Sequence, residues 1–314
     1  MLNRTIQLIS FFFFGLALWL IIKEIDRVGW HHLVQTVLST PLWVIGLASI
    51  FVVLNFFILT GYDLLALDYI RQKIPFQTVL KTACIGFAVS NTVGHSFVSG
   101  GAVRFLFYQP LGVSRSHILL LIAFETLTIF MGMGLAYIVA VGLTFGMPDI
   151  AEHFHFDGLY GATCLILITF ILYYVFIVLQ KRKFRIGGIV LSAPTSKMTL
   201  AQLTIGFLDN FLLSLVFYSV FRYYIETPFL PVFVIFTIAQ ITGQISQVPG
   251  GLGVLASFFI LLFPHTSDEK AGILSALFIF RILYFFVPFL LAGCFLGMQF
   301  LIKRFLSVKN SENM

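Results

Sequence analysis

The sequence predicts an all-α polytopic membrane protein with about six full transmembrane helices and two re-entrant helical hairpins of opposite orientation, about eight membrane segments in all. Three observations carry this. The first is composition: of 314 residues, 59 % are hydrophobic and 10 % charged, and the mean hydropathy is +1.01. A soluble domain carries about 25 % charged residues to face water, so a cytosolic enzyme, a disordered chain and a secreted disulfide scaffold are excluded. The second is a set of apolar runs near the ~20 residues needed to cross a bilayer core. The third is a pair of apolar regions broken by glycine and polar residues, tolerated at membrane depth only where protein or a water cavity covers the freed backbone.

The runs that qualify as spans, in order, are Thr5–Ile22, Leu42–Ala66, His117–Gly146, Gly158–Leu179, Leu200–Arg222 and Ala271–Ile302. The first is followed by Lys23-Glu24-Ile25-Asp26-Arg27 and has no small-x-small site, so it reads as an uncleaved span rather than a signal peptide. The first broken region, Thr82–Tyr108, contains Ser90-Asn91-Thr92, Gly94-His95-Ser96 and Ser99-Gly100-Gly101. The second, Val232–Phe263, contains Thr242-Gly243-Gln244 and Pro249-Gly250-Gly251-Leu252-Gly253. Cys84, Cys164 and Cys294 are scattered through apolar stretches, which gives neither a disulfide framework nor a metal-ligand cluster.

Loop charge sets the expected topology. Met147–Asp157 holds Asp149, Glu152 and Asp157 without Lys or Arg, and is placed outside. Its Glu152-His153-Phe154-His155 run reads as a solvated loop rather than a metal site. The stretch with Lys181, Arg182, Lys183, Arg185 and Lys197, and the tail with Lys303, Arg304 and Lys309, are placed inside. Both termini are then cytoplasmic. The first broken region enters and leaves on the inner side, with Gly100-Gly101 near its tip. The second does so on the outer side, with Pro249, Gly250, Gly251 and Gly253 near its tip. The chain reads as one integral membrane domain over 1–314, with inverted halves 42–146 and 200–302. Opposed broken helices in corresponding halves point to a transport site at the midplane.

Charges inside spans are expensive and mark sites by default. Arg281 lies about 15 Å along its helix from Ala271, at 1.5 Å per residue. It is expected either to anchor an anionic group such as a lipid phosphate through its bidentate fork, or to form an ion pair with Glu125. Glu125 lies about 12 Å beyond His117 and could carry a proton, pair with an arginine or meet a cationic headgroup. Asp209, beside Asn210, is equally deep; it reads as a helix-packing hydrogen bond or as a functional carboxylate. Arg104 stands three residues after Gly101, where the glycine backbone could converge on an anion. Asn91, His95, Ser96 and Ser99 make the first hairpin polar. There is no G-x-x-x-x-G-K-[ST] phosphate loop, no metal cluster and no nucleophile–base set, so no cofactor and no nucleic acid are expected. The net charge of +6 fits basic cytoplasmic loops near anionic lipid.

These residues resemble the membrane domain of the lysylphosphatidylglycerol synthase/flippase family, and more closely its stand-alone bacterial inner-membrane branch. The resemblance covers most of the chain. It includes Gly61-Tyr62-Asp63-Leu64-Leu65-Ala66, Gly100-Gly101-x-x-Arg104 with Tyr108 and Leu111-Gly112, and Leu200-Ala201-Gln202. Its more specific blocks are Pro249-Gly250-Gly251-Leu252-Gly253-Val254-Leu255, then Phe280-Arg281-Ile282-Leu283-Tyr284 with Pro288. Where the family usually has Glu after the second of these glycine runs, this chain has Ala256.

The resemblance implies a multi-pass protein of the bacterial inner membrane. It would move or bind an anionic phospholipid or a polyprenyl-linked lipid; the reading of the residues themselves places Arg104, Arg281, Glu125, Asp209, Asn91 and Tyr284 at the lipid site. The larger relatives carry a cytosolic aminoacyl-transferase domain; the chain ends at Met314, so synthase activity is not expected. A lipid-synthesis enzyme or a second copy of the chain are further partners to expect. The competing readings are a membrane glycosyltransferase or other lipid-modifying enzyme, a secondary solute transporter, and a non-transporting partner of a lipid-synthesis enzyme.

Overall fold

The computed structural model describes Gln35 and residues 38–93, 96–144, 156–180, 183–186, 189–246, 254–263 and 267–312. The expected spans Leu42–Ala66 and His117–Gly146 fold as α1 (Leu42–Tyr69) and α4 (Arg115–Thr144). Gly158–Leu179 folds as α5 (Phe156–Tyr173), which ends in a π-helical turn over Tyr174–Leu179. Leu200–Arg222 folds as α6 (Ser196–Tyr224). The Thr195 hydroxyl caps α6 by accepting from the Met198 N–H. Five helical stretches among the described residues are long and apolar enough to span a membrane. Thr5–Ile22 and the loop over 147–155 lie outside the described residues.

Each broken region folds as a pair of shorter helices. The first gives α2 (Phe76–Val93) and α3 (Ser96–Tyr108); the second gives α7 (Phe229–Ser246) and α8 (Val254–Leu262). The members of each pair pack on one another. With 13 residues α3 is about 20 Å long, and with nine residues α8 is about 14 Å. Neither reaches across a ~30 Å hydrocarbon core.

Gly100 and Gly101 do not separate the helices of the first pair: α2 ends at Val93, α3 begins at Ser96, and both glycines lie inside α3. Their N–H groups belong to the helix and are not available to cradle an anion, which corrects that part of the sequence expectation. What Gly100 supplies is closeness. A Cβ there would collide with the Ser90 hydroxyl and stand 3.3 Å from the Gly86 carbonyl oxygen. The second glycine run, Pro249 to Gly253, lies outside the described residues.

The last apolar stretch is α9 (Ser267–Arg281), a π-helical turn (Ile282–Phe286) and α10 (Val287–Glu312). The π turn has a local cause. Pro288 has no N–H to give and its ring crowds the carbonyl four residues back, that of Tyr284. The widened turn accommodates this, and the Val287 N–H reaches the Ile282 carbonyl instead. Between α5 and α6 a short antiparallel hairpin pairs Lys183–Ile186 with Ile189–Ser192 in the basic loop.

Polarity is distributed inside out. Leu42, Trp43, Ile50, Val53 and Phe57 of α1 are exposed, while Asn55, Thr60 and Asp63 of the same helix are buried. Ser90, Arg104, Glu125, Gln202 and Asn210 are buried as well. This suits a solvent of lipid tails, in which polar groups must find partners inside the protein. One apolar cluster joins α1, α6, α7, α8 and α9, with Phe217 in contact with the rings of Phe221, Phe236, Phe259 and Phe280. A second joins α1 to α4 around Leu67, Val79, Tyr108 and Leu121.

Helices α4 and α6 touch backbone to backbone at Gly132 and Gly206. A Cβ on Gly132 would overlap the Gly206 backbone, and one on Gly206 would overlap Gly132. Small residues at such crossings let membrane helices approach closely. Gly132→Ala is therefore expected to cost about 1–3 kcal/mol through forced separation. Gly142→Ala, on the same helix with open space around it, should be neutral. Thermal denaturation in detergent checks both.

Candidate functional site

Two buried polar networks meet at α1. In the first, Asp63 of α1, Arg104 of α3 and Glu125 of α4 converge. Arg104 Nη2 donates to Asp63 Oδ1 at 2.6 Å and Arg104 Nε donates to Glu125 Oε1 at 2.9 Å. The Arg104 Nη1 donates to the Gly100 carbonyl at 3.3 Å, and the Tyr108 hydroxyl donates to Asp63 Oδ2 at 2.6 Å. The guanidinium also lies over the Phe87 ring of α2, 4.9 Å from its centroid. Arg104 is 2 % exposed, Asp63 0 % and Glu125 4 %. Gly86 and Gly100 make room for the arginine, since a Cβ on either would stand 3.1 Å from Nη1.

In the second network, Asn55 and Tyr62 stand seven residues apart on α1, two helical turns, and so share a face. Both meet Asp209 of α6. Asn55 Nδ2 donates to Asp209 Oδ1 at 2.8 Å, and the Tyr62 hydroxyl donates to Asp209 Oδ2 at 2.9 Å. The Tyr284 hydroxyl, on the π turn, donates to Asn55 Oδ1 at 2.8 Å. Asn91 Nδ2 of α2 reaches that hydroxyl at 3.4 Å, and the neighbouring Thr92 hydroxyl donates to the Phe285 carbonyl at 3.1 Å. These bonds tie the first helical pair to α1, α6 and the π turn.

Arg281 is the last residue of α9 and is buried. It lines a cavity of about 10 Å³ between α7, α8 and α9, together with Gln240, Gly243, Leu255, Phe280 and Phe285. That is room for about one water molecule. The stacked rings of Phe280 and Tyr284, 5.8 Å apart, connect this cavity to the second network.

Of the residues expected from sequence, Arg104 and Glu125 come together. Asp209, Asn91 and Tyr284 come together in the second network, and Arg281 stands at a cavity of its own. The expected alternative partner of Arg281, Glu125, is met by Arg104 instead. The reading of Arg104 as an open phosphate grip gives way to an arginine already held by two carboxylates. Asn55 escapes the sequence reading, and Tyr62 and Asp63 enter it only through the family resemblance, not as site residues. Their signal is their spacing at 55, 62 and 63, within about 100° of one another around a largely apolar helix.

Residues 7–292 match the family described as lysylphosphatidylglycerol synthase TM region. The chain is 29 % identical to the uncharacterised protein slr0712 of Synechocystis, over 90 % of this chain and 88 % of that one. It is 26 % identical to the inner membrane protein YbhN of Escherichia coli, over 98 % of this chain and 96 % of that one. It is 24 % identical to the phosphatidylglycerol lysyltransferase of Staphylococcus haemolyticus, over 75 % of this chain but only 27 % of the enzyme.

Proposed function

The chain belongs to the lysylphosphatidylglycerol synthase TM region family, and from that membership we propose that it moves an anionic, phosphate-bearing lipid across the bacterial inner membrane. The lipid is a phospholipid of the phosphatidylglycerol kind or a polyprenyl-linked lipid. The observation that carries this reading is Arg281, buried beside a cavity between the second helical pair and α9. A guanidinium kept at membrane depth is suited to a phosphodiester, which it meets through two parallel N–H···O bonds. The lysyltransferase relatives support the substrate class, since their name states phosphatidylglycerol, and the part they share with this chain is its membrane region.

In this reading Arg281 holds the phosphate at the cavity, and Tyr284 and Asn91 belong to the neighbouring network that the Phe280 ring joins to it. The acyl chains stay in lipid against the exposed apolar faces. A cavity of about 10 Å³ is too small for a phosphate, so binding requires α8 to move away from α9. Asp63 and Glu125 hold Arg104 in place between α1, α3 and α4.

Mass spectrometry of lipids that co-purify in mild detergent tests the substrate. Wild-type protein should retain an anionic lipid that Arg281→Gln loses, and equal lipid content in both would remove Arg281 from the site. The orientation proposed is both termini cytoplasmic. In a variant without Cys84, Cys164 and Cys294, a cysteine placed within 147–155 should react with an impermeant thiol reagent from the periplasmic side, and one at Lys183 should not.

A further inference from the structure

The charges around Arg104 do not balance. Asp63 has both oxygens occupied by donors, Oδ1 by Arg104 and Oδ2 by Tyr108. Glu125 accepts from Arg104 through Oε1, so the two carboxylates are held on one guanidinium. Two carboxylates and one guanidinium leave one net negative charge if all are ionised. The three are almost wholly buried inside the protein, where an uncompensated charge is costly. Two carboxylates gathered on one guanidinium repel, and a proton on one of them relieves the repulsion.

The other titratable groups facing the cluster are Tyr62 from α1, Cys84 from α2 and Tyr108 from α3, with Asp209 of α6 beyond Tyr62. None of these supplies a second positive charge. Among the described residues, Arg104 is the cation that meets these carboxylates.

We propose that Asp63, Arg104 and Glu125 form a proton-binding site, in which one proton sits on Glu125, and in which its release and rebinding drive transport. Release breaks the Glu125 O–H bond and sends H⁺ to water. The cluster then becomes net negative and both carboxylates hold Arg104, clamping α3 to α1 and α4. Rebinding from the other side of the membrane restores the neutral cluster and leaves α3 held by Asp63. The site stands on this geometry alone; its use as a drive for lipid movement rests on the function proposed above.

Infrared spectroscopy of the purified protein at neutral pH tests the site. Wild type should show a carboxylic-acid C=O band, shifted in D2O, that is absent from Glu125→Gln. That variant should melt at the wild-type temperature, because Gln copies the protonated carboxyl in shape and as a donor. Asp63→Asn should melt far lower. An unchanged acid band in Glu125→Gln overturns the site, as does a Glu125→Gln protein that is as unstable as Asp63→Asn or does not fold. In vesicles, an imposed pH gradient should change the movement of a fluorescent phosphatidylglycerol several-fold in wild type and leave Glu125→Gln indifferent. Movement that ignores the gradient overturns the drive while the lipid reading survives. No movement under any gradient overturns the lipid reading and the drive together, and the infrared band still decides the site.

Discussion

Replacing Arg104 by methionine is expected to destabilise the protein by about 3–5 kcal/mol, the cost of breaking a buried ion pair from one side. Asp63 would keep the Tyr108 hydroxyl but lose its cation, and would be left as a buried charge inside the protein. The helices that depend on this arginine are α1, α3 and α4, so the loss should appear as failure to accumulate and as a large drop in melting temperature. Removing the stranded charge should repair it. Arg104→Met combined with Asp63→Asn is expected to recover most of the stability, since a buried ion pair is often replaceable by neutral groups. Arg104→Met combined with Glu125→Gln should not, because Asp63 remains ionised without a partner. Arg104→Lys should fall between, keeping the charge but losing the fork that reaches both carboxylates. Melting curves in one detergent check the series.

Why this pairing is hard to read in advance is a matter of geometry. Arg104 and Glu125 stand out in the sequence because a charge in an apolar run is costly wherever it points. Which charges meet depends on how α1, α3 and α4 cross, and 41 and 21 residues of chain separate Arg104 from its two partners. Asp63 lies toward the end of its span, where a carboxylate is ordinarily solvated, so only the fold shows that it is buried. Asn55 and Tyr62 cost little in hydropathy and pass as packing residues until Asp209 is seen between them.

The glycines divide in the same way. Gly112, with φ of +88°, ends a turn as its sequence context suggests. Gly100 and Gly101 look like loop residues but sit in a helix, because close packing of helices in a membrane also demands glycine. The breaks in the two apolar regions were legible because no continuous helix accommodates that density of polar and glycine residues. The π turn after Arg281 was not, since a lone proline signals a kink without stating its form.

Arg281→Gln carries the largest expected effect on function. The substitution keeps a hydrogen-bonding side chain at the cavity and removes the charge and the fork. It is expected to leave a folded protein and to slow lipid movement by at least about tenfold, the equivalent of about 1.4 kcal/mol. Arg281→Lys should also be slow, because one ammonium cannot make the paired bonds to a phosphodiester. A neutral headgroup should move no faster in wild type than in the variant, since the arginine distinguishes lipids by charge.

The most direct measurement is movement of a fluorescent phosphatidylglycerol between the leaflets of vesicles holding the purified protein, read by quenching from outside. Wild type should expose the inner-leaflet probe to the quencher, and folded Arg281→Gln should do so at a small fraction of that rate. Movement no faster than in protein-free vesicles, or equal rates for wild type and Arg281→Gln, would contradict the account.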